Sequence, residues 1–362
     1  MSSTIKVGII GANARGGWAG EAHVPAVQAL AGLSLAAVAT NRQETADEAA
    51  HTFGADKGYA SGTALIADPD IDLVTVATRV PDHRVLVLQA LAAGKHVYSE
   101  WPLGRGSLEA DDMARAAATA GVCHAVGLQL RGSPAIRAAC AHLASGALGR
   151  LLSLSALSTT AGFGPNVPAQ FAYLEDPDSF ANLVTIQGAH TLDLLAFLSG
   201  GPAGLTALGS RQFPEVGVGE DQRMQRRRTF DHLLVQGRTA SGTPFSMEVA
   251  GGRGADTPFS LDVIAEKGVL RLEGGAPRGL QSGRLRLLVN GDLVRVDEAE
   301  LSNLPDSAVN VAGIYAALRD DILNGSVGAP SFGHAAELTR MMEAVLRSST
   351  DGSSVQADEW QV

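Results

Sequence analysis

Through the first 126 residues, apolar runs of strand length alternate with amphipathic stretches of helix length. The runs fall at residues 5–10, 33–40, 72–77, 95–99 and 122–126, with a short element near Tyr59. Helix-like stretches separate them at 17–30, 43–53, 63–67, 81–93 and 108–120. Strands joined by helices of this size form right-handed βαβ units, and a parallel sheet covered by helices on both faces buries them. A doubly wound α/β domain is therefore expected first.

The texture changes near Gly149. Strand-like stretches then follow at 151–158, 205–210, 232–238, 244–249, 261–265, 269–272, 285–289 and 293–296, with little helix between them. The pairs Ser241-Gly242 and Asn290-Gly291 suit hairpin turns. One amphipathic helix is expected at 190–198, and two more close the chain at 311–323 and 334–347. The reading is a Rossmann domain over 1–127 and an α+β domain over 128–362 with a large, mostly antiparallel open sheet. The final helices are free to pack back on the first domain.

Composition narrows the function. A chain 45% hydrophobic and 18% charged is a folded globular protein. Its net charge of −10 argues against binding nucleic acid or an anionic membrane through bulk electrostatics. The one dense basic run, Arg223 to Arg228, is broken by Met224 and Gln225 and reads as a solvated loop. Cys123 and Cys140 have no neighbour at metal-ligand spacing and read as core thiols of a reducing compartment. No signal peptide or membrane-length apolar segment is evident, so a cytoplasmic location is expected. His, Asp and Glu show no metal spacing, and no metal is expected.

The first run leads into Gly11-Ala12-Asn13-Ala14-Arg15-Gly16-Gly17. Gly11 and Gly16 are the outer glycines of a G-x-G-x-x-G turn, and Asn13 takes the middle place, where asparagine tolerates positive φ. Such a turn brings backbone N–H groups and the positive end of a helix to a pyrophosphate, so Gly11, Asn13, Ala14, Arg15 and Gly16 are expected to bind one. The second run ends Thr40-Asn41-Arg42, without the acid that holds the ribose hydroxyls of NAD. That favours NADP over NAD; otherwise Arg42 is a surface residue at a helix start. The fourth run ends in His96-Val97-Tyr98-Ser99-Glu100-Trp101-Pro102-Leu103. A charged residue, an indole and a proline there face the crevice where open α/β sheets bind ligands.

These stretches, with Thr78-Arg79-Val80-Pro81-Asp82-His83 and Val126-Gly127-Leu128-Gln129, resemble the glucose–fructose oxidoreductase/inositol dehydrogenase/MocA (Gfo/Idh/MocA) family along essentially the whole chain. The resemblance implies a nucleotide lying along Gly11 to Gly16, Thr40 to Arg42, Thr78, Arg79, Pro81 and His83, Glu100 to Pro102, and Gln129. In that family a Glu-Lys-Pro lysine assists proton transfer, and a later helix carries an Asp and, four residues on, an acid/base His. Here the histidine matches His190, the lysine position is Trp101, and the aspartate position is Ile186.

Those departures, with Gly17-Trp18-Ala19, the run from Gly188 to Leu194 and Asp231-His232-Leu233-Leu234-Val235-Gln236-Gly237, are similar to the fungal galactose-regulon repressor branch. That branch binds NAD(P) and regulates transcription by protein contact.

Removing hydride from a hydroxyl requires a base for the O–H proton, and histidine is the natural one at neutral pH. His190 is expected in that role, Asp193 one turn on as its orienting partner, and Tyr98 as a second base. Arg131 and Tyr173 are expected to contact substrate, and Trp101 to stack on nicotinamide or sugar. His23 and His232 read as structural. The expected activity is NAD(P)-dependent hydride transfer with a sugar, polyol or related carbonyl compound. The alternative is a non-catalytic nucleotide-binding regulator. The resemblance implies a homodimer or tetramer through the C-terminal sheet.

Overall fold

The computed structural model describes residues 4–254 and 256–361. Its contacts divide the chain into two units. The first comprises the chain to Gly132 together with Glu298–Ala336; the second comprises Ser133–Asp297 and the chain from Glu337 onward.

The chain opens with β1 (Ile5–Ile10), α1 (Val24–Ala29), β2 (Leu33–Ala39), α2 (Gln43–Phe53), β3 (Lys57–Tyr59), α3 (Gly62–Ile66) and β4 (Leu73–Val76). It continues through α4 (Val80–Ala92), β5 (His96–Ser99), α5 (Ser107–Ala120) and β6 (His124–Val126). The second unit begins with α6 (Pro134–Ala144), β7 (Leu151–Thr159), β8 (Asn166–Val167), α7 (Ala189–Ser199) and β9 (Pro202–Ser210). Strands β10 (Glu215–Val218), β11 (Arg223–Arg226), β12 (His232–Thr239), β13 (Pro244–Ala250) and β14 (Phe259–Ala265) follow. The remainder is β15 (Gly268–Gly274), β16 (Leu285–Val289), β17 (Asp292–Val294), α8 (Asp306–Asn324), α9 (Phe332–Asp351) and β18 (Val355–Gln356).

Six parallel strands in the order β3-β2-β1-β4-β5-β6 form the first unit's sheet. Val7, Ile9, Val38, Val74, Val76 and Val97 are wholly buried, as expected of strands covered on both faces. On one face, Val309, Val311, Ile314, Tyr315 and Leu318 of α8 join Val24, Val27 and Leu30 in a single apolar cluster. The strand order reverses between β2 and β4 on either side of β1. That is the topological switch point, and loops at the strands' carboxyl ends gather there.

The second unit holds a nine-stranded sheet, β17-β16-β15-β14-β7-β13-β12-β9-β18, antiparallel at every pairing except β7 with β13. Asn290 (φ 55°) and Gly291 (φ 89°) turn the chain between Val289 and Asp292. Positive φ at both positions is what a two-residue type I′ hairpin demands. The inner face of the sheet (Leu154, Ala156, Leu233, Val235, Met247, Val249, Leu261, Val263) is buried. Its outer face leaves Leu208, Leu234 and Leu157 exposed.

One expectation needs correction here. The basic run is not a solvated loop: Arg223–Arg226 is the edge strand of a separate three-stranded sheet, β11-β10-β8, and its four residues are exposed. The next residue, Arg227, is fully buried among carboxylates. The cysteines are each half-buried, with Cys123 packed against the first unit's apolar cluster and Cys140 on α6. Among the described residues no helix is long and apolar enough to cross a membrane, and no group of three or more His, Cys, Asp or Glu is arranged to hold a metal.

Candidate dinucleotide and active site

The glycine turn follows β1 directly. Gly11 has φ 98°, and a β-carbon there would lie 2.5 Å from the Ala77 carbonyl oxygen, so only glycine lets the turn pass β4. Gly16 and Gly17, with φ 122° and 114°, meet nothing within 4 Å of a β-carbon's place. Their open backbone is the surface a pyrophosphate requires. Asn13, in place of the middle glycine, accepts the Arg15 N–H through Oδ1 at 2.9 Å and closes a local turn. Ala14 lies between them. The Arg15 side chain reaches α2, where Nη2 sits 3.1 Å from Glu48 Oε2.

At the end of β2, Thr40 Oγ1 donates to the Arg42 carbonyl at 2.9 Å and lies 2.7 Å from Thr45 Oγ1. Thr45 Oγ1 donates to the same carbonyl at 3.0 Å. These hydroxyls fix the turn and leave Asn41 and Arg42 exposed. No acidic side chain lies between β2 and the start of α2, and the nearest in sequence is Glu44.

Beyond β5 the structure gathers a buried polar chain. Glu100 Oε1 lies 3.0 Å from His23 Nε2, and Gln129 Nε2 donates to both Glu100 oxygens at 3.0 and 2.9 Å. His23 Nδ1 is 2.9 Å from Tyr315 Oη, which is 2.7 Å from Thr75 Oγ1. A β-carbon on Gly127 would sit 2.5 Å from Glu100 Oε1, so glycine is what lets the carboxylate settle against Gln129. Two buried atoms at the strand ends on either side of β5, Thr78 Oγ1 and Gln129 Oε1, have no hydrogen-bond partner among the described residues. Thr78 follows β4 and Gln129 follows β6, so they bracket Glu100 at the end of β5. An amide-bearing ring with its own donors and acceptors suits such a site.

His83 is buried at the start of α4, with Nδ1 3.0 Å from the Pro102 carbonyl and Nε2 3.1 Å from the Thr78 carbonyl. Burial pushes its imidazole below the usual value; the two carbonyls and Glu100 pull the other way. It ties the loop after β4 to the loop after β5. Arg79 and Pro81 are exposed at the same helix start, and Trp101 and Pro102 are buried.

Tyr98 departs from its expected role. It is wholly buried, its ring 5.1 Å from that of His23 and 4.8 Å from that of Tyr315. Burial drives its phenol well above the ordinary value, with Glu100 adding to the effect. A phenol held protonated inside a core supplies no base, and Tyr98 is wall rather than reagent.

Of the expected substrate residues, Arg131 lies in the first unit, in the short helix Gln129–Gly132. The second unit carries His190 and Asp193, one turn apart on α7 and both buried, and half-buried Tyr173 in the 3-10 segment Ala169–Glu175. Ile186 lies in the π-helical turn Val184–Gly188 that leads into α7. Sequence reasoning missed His23, Thr75 and Tyr315. His23 read as a lone structural histidine, and nothing in the chain links it to a tyrosine 292 residues later.

The family model described as "Oxidoreductase family, NAD-binding Rossmann fold" matches residues 5–128, and that of the "Gal80p, C-terminal domain" matches residues 134–274. Residues 5–128 thus carry a Gfo/Idh/MocA-type NAD-binding domain, and residues 134–274 a domain of the Gal80p C-terminal kind. The chain is similar to dehydrogenase aclE of Aspergillus oryzae, at 38% identity over 50% of each chain. It therefore spans about half the length of that relative. It is also similar to the galactose/lactose metabolism regulatory protein GAL80 of Saccharomyces cerevisiae, at 27% identity over 76% of this chain and 68% of that one. Among solved structures it shares its fold with levoglucosan dehydrogenase in complex with NADH and L-sorbose. The TM-score is 0.85 at 23% identity, covering 99% of this chain and all of that one.

Proposed function

We propose that this chain is an NADP-preferring Gfo/Idh/MocA-type oxidoreductase that moves hydride between nicotinamide and a sugar, polyol or related carbonyl compound. The observation that carries the reading is the acid-free turn at Thr40–Arg42. Its hydroxyls are tied into the turn itself, while Arg42 stays exposed to meet a 2′-phosphate. Gly11, Asn13, Ala14, Arg15 and Gly16 would take the pyrophosphate on backbone N–H groups. Thr78, Arg79, Pro81, His83, Glu100, Trp101, Pro102 and Gln129 would line the nicotinamide half. The bound dinucleotide supplies the hydride acceptor or donor. His190 would take the substrate hydroxyl proton, with Asp193 orienting it and Arg131 and Tyr173 holding the substrate. The similarity to levoglucosan dehydrogenase favours a sugar-like substrate. A cytoplasmic location goes with this reading, as does a homodimer or tetramer through the outer sheet face bearing Leu208, Leu234 and Leu157.

A second reading, a nucleotide-binding regulator, is favoured by Trp101 and Ile186 at the family's lysine and aspartate positions. The GAL80 similarity across three quarters of the chain adds to it.

One experiment separates them. Purified protein is titrated with NADP and NAD, then given NADP and a panel of sugars and polyols while NADPH formation is followed by absorbance. The dehydrogenase reading expects tighter NADP binding and reduction that His190→Ala abolishes. NADP binding with no reduction on any substrate supports the regulator.

A further inference from the structure

The buried chain that ends on Glu100 has a direction. Thr75 is wholly buried, and among the described residues its hydroxyl has one hydrogen-bond partner, Tyr315 Oη. To satisfy its hydrogen, Thr75 donates to Tyr315. Tyr315 then donates to His23 Nδ1, which leaves the imidazole neutral with its hydrogen on Nε2, and Nε2–H donates to Glu100. Run the other way, the chain would strand the Thr75 hydrogen inside the sheet at the cost of an unmade buried hydrogen bond. Gln129 presents N–H to both Glu100 oxygens as well. Among the described residues, the two side chains hydrogen-bonded to this carboxylate, His23 and Gln129, both donate to it, and in this arrangement neither brings a positive charge. The Glu100 side chain is 13% exposed, so its charge is poorly screened by water.

Glu100 stands at the carboxyl end of β5, on the opposite side of β1 from the β2 turn. In a doubly wound sheet the adenosine half belongs to the β2 side and the nicotinamide half to the β4–β5 side. The oxidised nicotinamide ring is a cation and the reduced ring is neutral.

We propose that Glu100 selects the oxidation state of the nucleotide: a fixed carboxylate, held ready by His23, Tyr315 and Thr75, that favours the cationic oxidised ring over the neutral reduced one. This rests on the dinucleotide reading above but needs no turnover, so it holds for an enzyme or a regulator alike. An enzyme so built is loaded with the oxidised nucleotide and makes that bound form harder to reduce than the free one; a regulator so built reports the oxidised pool.

The test is binding. Dissociation constants for NADP+, NADPH and 2′,5′-ADP, which lacks the nicotinamide, are measured by calorimetry on wild type, Glu100→Gln and Glu100→Asp. Thermal unfolding checks that each variant is folded. The expected result is a wild type that prefers NADP+ over NADPH by about tenfold, a ratio that collapses toward one in Glu100→Gln. Glu100→Asp keeps the charge and is expected to keep the preference even if both affinities fall, whereas 2′,5′-ADP binds all three proteins alike. Equal loss of NADP+ and NADPH affinity in Glu100→Gln, or an unchanged ratio, overturns the proposal and leaves the dinucleotide reading standing. Failure of 2′,5′-ADP and both dinucleotides to bind wild type overturns both.

Discussion

The Arg227 guanidinium grips Glu175 through two parallel bonds, Nε to Oε2 and Nη2 to Oε1, each 2.9 Å. Its remaining N–H groups are taken by Asp231 Oδ2 at 2.7 Å and by the carbonyls of Phe163 and Gly164 at 2.9 and 2.7 Å. Asp231 also accepts the backbone N–H groups of Gln212 and Phe213. One buried cation thus fastens the strand segments around the three-stranded sheet.

Removing that cation strands two buried carboxylates. Arg227→Met is expected to lower stability by about 3–5 kcal/mol, read from urea midpoints. Its neighbour Arg228, exposed and 3.6 Å from Asp176, is expected to change nothing measurable when replaced by alanine. Adding Glu175→Gln and Asp231→Asn to Arg227→Met should recover part of the loss, because the unpaired charges are then gone.

The glycines of the nucleotide turn should separate folding from binding. Gly11→Ala forces a β-carbon against the Ala77 carbonyl at a φ alanine resists, and a loss above about 2 kcal/mol is expected. Gly16→Ala meets no neighbour. It is expected to stay folded with a smaller strain cost, while nucleotide affinity falls at least about tenfold as the backbone approach closes. Comparable urea midpoints for the two variants would contradict this.

An acid-sensitive cluster lies on the first unit. Asp68 accepts from Lys57 Nζ at 2.9 Å, Tyr59 Oη at 2.7 Å and the Asp70 N–H at 2.9 Å. These bonds, Lys57 foremost, hold its carboxyl at about 2, against about 3.9 in an unfolded chain. A lowered carboxyl stabilises the fold above the unfolded value and stops doing so as pH falls through the folded one. Asp68→Asn should therefore be less stable than wild type at pH 7, with the gap closing between about pH 4 and 2. A gap of constant size across urea titrations at those pH values would refute it.

Burial pushes the His96 imidazole down, and its Nδ1 accepts the Cys123 N–H at 3.0 Å, which only an unprotonated nitrogen can do. His83 is lowered by burial too. A lowered histidine stabilises the fold above its unfolded value near 6.5 and loses that contribution as pH drops below it. The ring C–H resonances of both residues are expected to titrate below about 6.5 in NMR spectra, and stability to decline over the same range.

On the second unit's outer sheet face, Leu234 is paired across strands with Leu208 on one side and Glu248 on the other, and Glu248 with Leu157. Leu208 is 61% exposed. If this row is the self-association surface, Leu208→Asp with Leu234→Lys should yield monomer by light scattering while leaving the unfolding midpoint nearly unchanged. An unaltered mass would exclude this face.

Much of the fold was legible because its elements are local. The alternation through residue 126, the Gly11–Gly16 turn, and the Asn290-Gly291 hairpin each carry their instruction within a few residues. The helix expected at 190–198 lies within Ala189–Ser199 for the same reason. What stayed hidden depends on distant partners. Arg227 looked like part of a solvated run because Glu175 and Asp231 meet it only after folding. Tyr98 looked available at a strand end because α8, which brings Tyr315 against it, lies some two hundred residues downstream. Nothing in the sequence joins Thr75, Tyr315, His23 and Glu100 into the chain of hydrogen bonds they form after folding.

The first unit is sewn from two pieces of chain, and synthesis delivers them far apart in time. When Gly132 leaves the ribosome, α1 and the neighbouring strands have formed the sequence half of a core whose other wall, α8, has not been made. Val24, Val27 and Leu30 must wait without α8 while Ser133–Asp297 is translated. Contacts of such long range are slow to close, and an exposed apolar face is prone to aggregate in the meantime. The nucleotide half-site is thus among the last parts of the molecule to mature, although its signature is among the first residues read.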